Sequence, residues 1–232
     1  MQKLFKQILT SKVYEAAIET PLEEAVVLSQ QLNNRVLLKR EDLQPVFSFK
    51  LRGAYNCIAH LSDAQKAAGV ITASAGNHAQ GVAFSGQKLG LRTIIVMPVT
   101  TPVIKVDAVR AFGAEVVLHG DNYSEAADHC AELVAKTGMT FIPPFDDELV
   151  IAGQGTVADE LLRQSSGNLD AVFVPVGGGG LLAGMAVFIK SLRPEIKVIG
   201  VEPVDSAAMS KSIAAGHRVH LDSVGIFADG VA

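Results

Sequence analysis

Apolar runs of strand length alternate with longer helical stretches along most of this chain, and this alternation limits the folds available to it. The runs are apolar on both faces and rich in valine and isoleucine. Such strands form a parallel sheet with helices on both sides, so the sequence predicts an α/β fold. The predicted strands are 36–39, 70–73, 93–97, 115–118, 140–142, 171–176 and 197–201, and the predicted helices are 50–61, 77–89, 102–112, 124–136, 148–164 and 181–192.

Prolines indicate two structural boundaries. Residues 20–22, Thr-Pro-Leu, are typical of a helix start, with the threonine as cap and the proline at the first helical position. Residues 143–147, Pro-Pro-Phe-Asp-Asp, close a predicted strand and form the clearest break in composition. We therefore expect a domain boundary at residues 143–147.

Composition excludes several functional classes. The chain has 232 residues, of which 49% are apolar and 19% are charged, so it can bury one large core or two small ones. A net charge of −4 without any basic stripe argues against a nucleic-acid partner. Cys57 and Cys130 lack metal-type spacing and are typical of buried thiols in a reducing compartment.

The uncharged stretch at 171–189 is nearly long enough to cross a bilayer. It contains Pro175 and four consecutive glycines, and each glycine weakens a helix by about 1 kcal/mol relative to alanine. We interpret it as a buried strand, a tight loop and a buried helix. Because the amino terminus also lacks an apolar leader, we expect a soluble, cytoplasmic protein that does not bind a membrane.

Lys50 opens the predicted helix at 50–61, where its charge lies at the unfavourable end of the helix dipole. Such a lysine suits an anionic ligand or lysine chemistry, because a desolvated amine loses its proton and can attack a carbonyl. A solvated surface lysine is the plain alternative, and Lys50 alone does not decide between them.

Two loops between a predicted strand and a predicted helix are suited to anions. Residues 74–78, Ser-Ala-Gly-Asn-His, supply polar side chains and the unpaired N–H groups of a helix N-terminus, which suit a carboxylate. Ser74 or Asn77 could instead cap the helix. Residues 177–180 are all glycine, so their backbone N–H groups can approach a phosphate, and a simple turn would not need four glycines.

The glycine run also fits a dinucleotide-binding motif. Gly178-x-Gly180-x-x-Ala183 is followed about 20 residues later by Glu202, the arrangement that nicotinamide-dependent oxidoreductases use for the ribose. This alternative leaves Lys50 without a role. A P-loop nucleotidase is excluded because no Gly-Lys-Thr/Ser sequence follows the glycines.

Three segments, in this order, closely resemble the pyridoxal-phosphate (PLP) dependent serine/threonine dehydratases, which belong to the tryptophan-synthase-β-like enzymes. The resemblance covers essentially the whole chain, and it is strongest to members that deaminate threonine. The segments are Glu-Asp-Leu-Gln-Pro at 41–45 with Ser-Phe-Lys-Leu-Arg-Gly-Ala at 48–54, Ser-Ala-Gly-Asn-His at 74–78, and Gly-Gly-Gly-Gly-Leu at 177–181.

The resemblance implies the two-domain, parallel-sheet fold of these enzymes, fold type II. Residues 1–52 and 145–232 would form a large PLP-binding domain, and residues 53–144 would form a small inserted domain. Family members continue beyond the point where this chain ends, so we expect a large domain that is incomplete at its C-terminal side. A fragment of the lyase that cannot catalyse is therefore a further alternative.

The resemblance also implies residue roles. Lys50 would carry PLP covalently, Asn77 would touch its 3-hydroxyl, and the glycine run would hold its phosphate. The loop at 74–78 would bind the substrate carboxylate, with His78 contributing its backbone. The residues implied for PLP are Lys50, Phe49, Asn77, Gly177, Gly178, Gly179, Gly180 and Leu181, and those implied for the substrate are Ser74, Ala75, Gly76, Asn77 and His78.

The implied reaction is β-elimination and deamination of L-threonine to 2-oxobutanoate and ammonia, in isoleucine biosynthesis, with L-serine as a slower substrate. Related racemases have a serine acid/base where this chain has Ala75, so Lys50 would be the sole base. They also hold a divalent cation through a glutamate, matched by Glu202, and an aspartate, which is Ala208 here. We therefore expect no metal, a small amino-acid substrate and a homo-oligomer.

Overall fold

The computed structural model describes residues 1–165, 167, 169–225, 227–228 and 230. The strands are β1 Leu22–Glu24, β2 Leu37–Lys39, β3 Val70–Ala73, β4 Thr93–Met97, β5 Glu115–Leu118, β6 Thr140–Phe141, β7 Ala171–Pro175 and β8 Lys197–Val201. The helices are α1 Gln2–Leu9, α2 Val26–Leu32, α3 Lys50–Ala59, α4 Asp63–Ala68, α5 Asn77–Leu89, α6 Val103–Ala111, α7 Tyr123–Thr137, α8 Glu148–Gln164, α9 Gly180–Leu192 and α10 Ala208–Ala215.

Four parallel strands form the largest sheet, in the order β5-β4-β3-β6. Strands β3 and β4 are buried throughout because helices cover both faces. Val70 and Ile95 pack towards α5 and α6, whereas Ile71 and Ile94 pack against α7. This alternation confirms the predicted parallel sheet with helices on both sides.

The remaining strands form two smaller sheets, a difference from the single sheet that the sequence suggests. β7 and β8 are parallel, and β1 and β2 are antiparallel. Val172 and Val174 pack against α9, while Phe173 points to the other face and is 68% exposed. The four-stranded sheet lies within residues 53–144 and the β7–β8 pair within 145–232, but the domain division itself remains a prediction.

The uncharged stretch at 171–189 forms strand β7, the glycine loop and most of helix α9, as predicted. Among the described residues, no helix is both long enough and apolar enough to span a membrane.

Glycines set the spacing of the helices that surround the site. A Cβ on Gly153 of α8 would lie 2.5 Å from the Arg52 carbonyl oxygen of α3, and one on Gly184 of α9 would lie 2.4 Å from a carbonyl oxygen of α8. On α5, a Cβ on Gly81 would lie 3.2 Å from the backbone of Lys50. Helices α3, α5, α8 and α9 therefore pack backbone to backbone.

A buried group of four charges anchors α3 to α8. The Arg52 side chain is fully buried and donates hydrogen bonds to Glu160 at 2.6 Å and to Glu41 at 2.8 Å. Lys39 also donates to Glu160, at 2.6 Å. Two cations therefore face two carboxylates, an arrangement in which the charges compensate one another.

The predicted helix start at residues 20–22 is wrong. Leu22 begins strand β1, and the nearby helix α2 begins at Val26. The Thr20 hydroxyl donates to Glu41 at 2.6 Å instead of accepting from a helix N–H, and the Pro21 carbonyl accepts from the Arg40 N–H at 3.1 Å. Contacts with the segment after β2 thus override the local sequence pattern.

Candidate active site

One cavity of about 440 Å³ brings the three sequence segments together. Its size is within the usual range for small-molecule sites. Two of its walls are the loops that follow β3 and β7, at the carboxyl ends of parallel strands, where α/β folds bind ligands. All the predicted site residues line it: Phe49, Lys50, Ser74, Ala75, Gly76, Asn77, His78, Gly177, Gly178, Gly179, Gly180 and Leu181.

Lys50 is the first residue of α3 and is partly buried in the cavity wall. Its Nζ atom donates a hydrogen bond to the Pro144 carbonyl oxygen at 2.9 Å and lies 5.7 Å from the centre of the Phe49 ring. Burial lowers the pKa of Lys50 from 10.5 to about 8. At pH values above this pKa the amine is mostly uncharged, and an uncharged amine can act as a nucleophile and as a base.

The four glycines line the cavity as a cradle of backbone atoms, and side chains at Gly178 or Gly180 would collide with Phe145. Gly179 has a positive φ of 87° and precedes α9, which begins at Gly180. A Cβ on Gly178 would lie 2.2 Å from the Phe145 ring, and one on Gly180 would lie 2.9 Å from the Phe145 carbonyl oxygen. The first N–H groups of α9 have no partner within the helix, so the cradle suits an anion.

The loop at 74–78 joins β3 to α5. The cap position of α5 is Gly76, and no side chain among the described residues caps this helix. The Ser74 hydroxyl accepts from the Gly76 N–H at 3.3 Å, within the loop, and Asn77 is already helical and exposed. The capping alternative therefore does not account for Ser74 or Asn77, and a carboxylate-binding role stays a prediction.

His78 is buried, and its Nε2 atom lies 3.0 Å from the Ile142 carbonyl oxygen. A carbonyl only accepts, so Nε2 carries the hydrogen and Nδ1 does not. Burial lowers the pKa of His78 to about 3, and the nearby charge of Lys50 adds to this effect. The ring is therefore neutral, and the predicted role of the His78 backbone is not tested by this contact.

Sequence reasoning missed eight further residues of the cavity wall. Lys105 lies in the first turn of α6, after β4, and Tyr123 is the first residue of α7, after β5. The rule that ligands bind beyond strand ends could have found both. Gln154 is in the middle of α8, where no sequence signal marks it, and its side chain accepts from the Gly53 N–H at 3.2 Å. The eight residues are Ala73, Lys105, Tyr123, Pro144, Phe145, Gln154, Pro175 and Gly230.

The electrostatics of the cavity favour an anion. Its titratable side chains are Lys50, His78, Lys105 and Tyr123, and the described residues that line it include no aspartate or glutamate. Helices α3, α5 and α9 all begin at the cavity, so their positive dipole ends meet there. A ligand with a phosphate and a carboxylate would supply the negative charge that the wall does not.

Glu202 already has partners in this structure. Its carboxylate accepts from the Met209 and Ser210 N–H groups, both at 2.8 Å, and so caps α10. This contact argues against the ribose-binding role that a nicotinamide cofactor would require. Among the described residues, no group of three or more His, Cys, Asp or Glu side chains is arranged to hold a metal ion.

Comparisons with known proteins give a consistent result. The sequence model of the family described as pyridoxal-phosphate dependent enzyme matches residues 13–232. The biosynthetic L-threonine dehydratase of Pasteurella multocida is 63% identical over 98% of this chain. The solved processed form of threonine deaminase isoform 2 from Solanum lycopersicum has a TM-score of 0.97, is 56% identical and covers 100% of this chain.

A solved maize serine racemase is also similar, with a TM-score of 0.93 and 31% identity over 99% of this chain. The chain spans only part of these proteins: 44% of the Pasteurella dehydratase, 68% of the tomato deaminase chain and 69% of the maize racemase chain.

Proposed function

This chain belongs to the pyridoxal-phosphate dependent enzyme family, and on that premise we propose that it binds PLP at Lys50 and deaminates L-threonine to 2-oxobutanoate and ammonia. The observation that carries the proposal is one cavity that joins a lysine of lowered pKa to a glycine cradle, without a lining carboxylate among the described residues. The names of the similar dehydratase and deaminase supply the substrate.

The residues present fit PLP. Lys50 offers an amine for the aldehyde, and the glycines line the cavity beside the N-terminus of α9, where backbone N–H groups suit a phosphate. Asn77 is the residue proposed for the 3-hydroxyl, and Phe49 and Leu181 complete the wall. When bound, PLP supplies an electron sink for the substrate α-carbon.

The residues of this chain have distinct proposed tasks in the reaction. The loop from Ser74 to His78, including Gly76, binds and orients the substrate carboxylate through the first N–H groups of α5. Lys50 takes the α-proton, because its lowered pKa makes the amine a base near neutral pH. Ala75 cannot transfer a proton, which favours elimination over racemisation. L-serine is the proposed slower substrate.

Assembly and location complete the proposal. We propose a homo-oligomer with a small amino-acid substrate, acting in isoleucine biosynthesis in the cytoplasm and without a functional metal. Sedimentation velocity of the purified chain tests the assembly, and a monomer at all concentrations would contradict it.

A spectrum tests the proposed site. The purified chain is mixed with PLP, and we expect a visible absorbance band. Borohydride reduction should remove this band and fix the cofactor covalently, so that digestion yields a PLP-modified peptide at Lys50. Lys50→Ala should lose both signals, whereas Lys211→Ala, in the exposed part of α10, should keep them. Absence of the band, or modification only at other lysines, would overturn PLP binding at Lys50.

An assay of 2-oxo acid after addition of L-threonine then tests the reaction. Formation of 2-oxobutanoate by the chain, and not by Lys50→Ala, is the expected result. A PLP band without 2-oxobutanoate would leave the cofactor site in place and favour the fragment that cannot catalyse. Binding of NAD without a PLP band would favour the oxidoreductase.

A further inference from the structure

The Ile142 carbonyl accepts two hydrogen bonds from buried side chains. The Thr72 hydroxyl donates to it at 2.9 Å, and His78 Nε2 donates at 3.0 Å. Thr72 is 0% exposed and His78 is 3% exposed. The two donors come from β3 and from the first turn of α5, on either side of the loop at 74–76.

The two residues after Ile142 connect its carbonyl group to the carbonyl group that Lys50 contacts. Pro143 and Pro144 have fixed φ angles and no N–H donors, so the backbone between the Ile142 and Pro144 carbonyls has few free torsions. The Pro144 carbonyl oxygen accepts the hydrogen bond from Lys50 Nζ at 2.9 Å. The contacts at Ile142 therefore fix the acceptor that Lys50 uses.

We propose that the Pro144 carbonyl is the seat of the free Lys50 amino group, and that Thr72 and His78 are positioning residues that hold this seat through the Ile142 carbonyl. The inference rests on the proposed function, in which Lys50 must keep one orientation whenever it is not bonded to the cofactor. A carbonyl accepts from both the ammonium and the neutral amine, whereas a carboxylate would hold the lysine charged.

Other groups near Lys50 do not replace this acceptor. His78, Lys105 and Tyr123 are the titratable side chains that share the cavity wall with it. The His78 ring is neutral, and its one hydrogen on nitrogen is directed to Ile142. Among the described residues, no carboxylate lines the cavity, and the hydrogen bond that the structure gives to the Lys50 amine is the one to the Pro144 carbonyl.

Thr72 offers a matched pair of variants. Thr72→Val is nearly isosteric and removes the hydroxyl donor, whereas Thr72→Ser keeps it. The measurement is the pH dependence of acetic anhydride labelling of Lys50 in the PLP-free 232-residue chain, followed by peptide mass spectrometry. We expect the midpoint for Thr72→Val to fall by about 0.5 pH unit, because a displaced carbonyl stabilises the buried ammonium less well.

Thr72→Ser should keep the midpoint of the parent chain. Equal midpoints in all three proteins, or equal shifts in both variants, would overturn the inference. A labelling midpoint for Thr72→Val that rises towards the pKa of a solvated lysine would also overturn the inference. Such a rise would mean that exposure of the amine to water, and not the carbonyl, sets the midpoint.

A backbone ester tests the carbonyl without changing any side chain. Replacing residue 145 by phenyllactic acid converts the Pro144 amide carbonyl into an ester carbonyl, which is a weaker acceptor. The Phe145 N–H that is lost makes no hydrogen bond to the described residues. We expect the Lys50 midpoint to fall by about 0.5 to 1 pH unit, and an unchanged or raised midpoint would overturn the inference.

These labelling experiments need neither PLP nor turnover. A chain that fails to bind PLP but shows the expected shifts would contradict the proposed function and leave the seat of Lys50 supported.

Discussion

At the scale of single residues, Lys50 combines two unfavourable circumstances. It is partly buried, and it stands at the positive end of α3. The structure offers its amine one backbone carbonyl, Pro144, instead of a carboxylate. Both circumstances favour the uncharged amine, and the pKa of about 8 follows mainly from burial. The same environment that costs stability thus prepares the lysine for chemistry.

His78 should make the chain sensitive to acid. Its pKa is about 3 in the folded chain and near 6.5 when unfolded, so between these values the unfolded chain binds the extra proton and stability falls as pH falls. Urea unfolding should show that the parent chain loses about 2 kcal/mol more than His78→Gln between about pH 7 and pH 5.

His78→Gln is the suitable variant because glutamine keeps an N–H donor for the Ile142 carbonyl but does not titrate. Equal losses of unfolding free energy in the two proteins over this pH range would contradict the prediction.

The residues of the cavity were predictable where chemistry and position coincide in the sequence. Lys50 and the loop at 74–78 carry polar groups beside a predicted strand end or helix start, and the structure places them in one cavity. Gln154 was not predictable, because a glutamine within an amphipathic helix has the same local pattern whether it faces a cavity or solvent. Its position follows from the close contact between α8 and Gly53.

At the scale of elements, the bounds of β3, β4, β5, α5 and α8 agree with prediction because each has strong periodicity and clear end signals. Helix α4 was missed although Ser62 and Gln65 form a capping box, a signal that the sequence does contain. Helix α10 was missed for a different reason. Its cap is a carboxylate from Glu202, which precedes the helix by several residues, and no local pattern reports that contact.

Helix α9 should depend on the glycine at its contact with α8. Gly184→Ala would place a Cβ 2.4 Å from a carbonyl oxygen, so the helices must separate, although alanine favours the helix by itself. We expect a net loss of about 1–2 kcal/mol in unfolding free energy, measured by urea denaturation.

Ser191→Ala, at an exposed position of the same helix, is the control and should change the unfolding free energy by less than about 0.5 kcal/mol. A stabilised Gly184→Ala chain would show that the two helices do not meet at this glycine.

Removing one of the four buried charges that join α3 to α8 should destabilise the fold, because the remaining charges are then no longer compensated. Glu160→Gln would leave Arg52 and Lys39 with one carboxylate between them, and an uncompensated buried charge costs about 3–5 kcal/mol. Denaturant unfolding should show a loss of that size. Glu195→Gln removes a solvent-exposed pair with Arg193 and should leave the unfolding free energy almost unchanged. Similar losses in the two variants would contradict the prediction.

At the scale of the whole molecule, the distribution of charge matters more than its sum. The net charge is −4, yet the described residues that line the cavity include two lysines and no carboxylate. A ligand that carries phosphate should therefore be attracted to the cavity although the chain as a whole is negative. Such attraction acts over about one Debye length, which is roughly 10 Å at 0.1 M salt.

Salt should slow the association of PLP. In stopped-flow absorbance, the association rate should fall by about threefold to tenfold between about 0.05 M and about 0.5 M NaCl, because salt screens the cavity from the phosphate. Pyridoxal, which has the aldehyde but no phosphate, is the control and should change by less than about twofold. Equal salt dependence for the two compounds would mean that the glycine cradle does not attract the phosphate.

The backbone contacts of the helices also determine which mutations the gene can tolerate. In a saturation library selected for folded protein, glycine should be the most enriched residue at positions 153 and 184, because even a methyl group there meets backbone atoms at 2.5 Å or less. A methyl group added to Gly76 would meet no atom within 4 Å, so position 76 should accept small residues. Tolerance to mutation would then trace the helix contacts around the cavity and could be read from DNA sequencing alone.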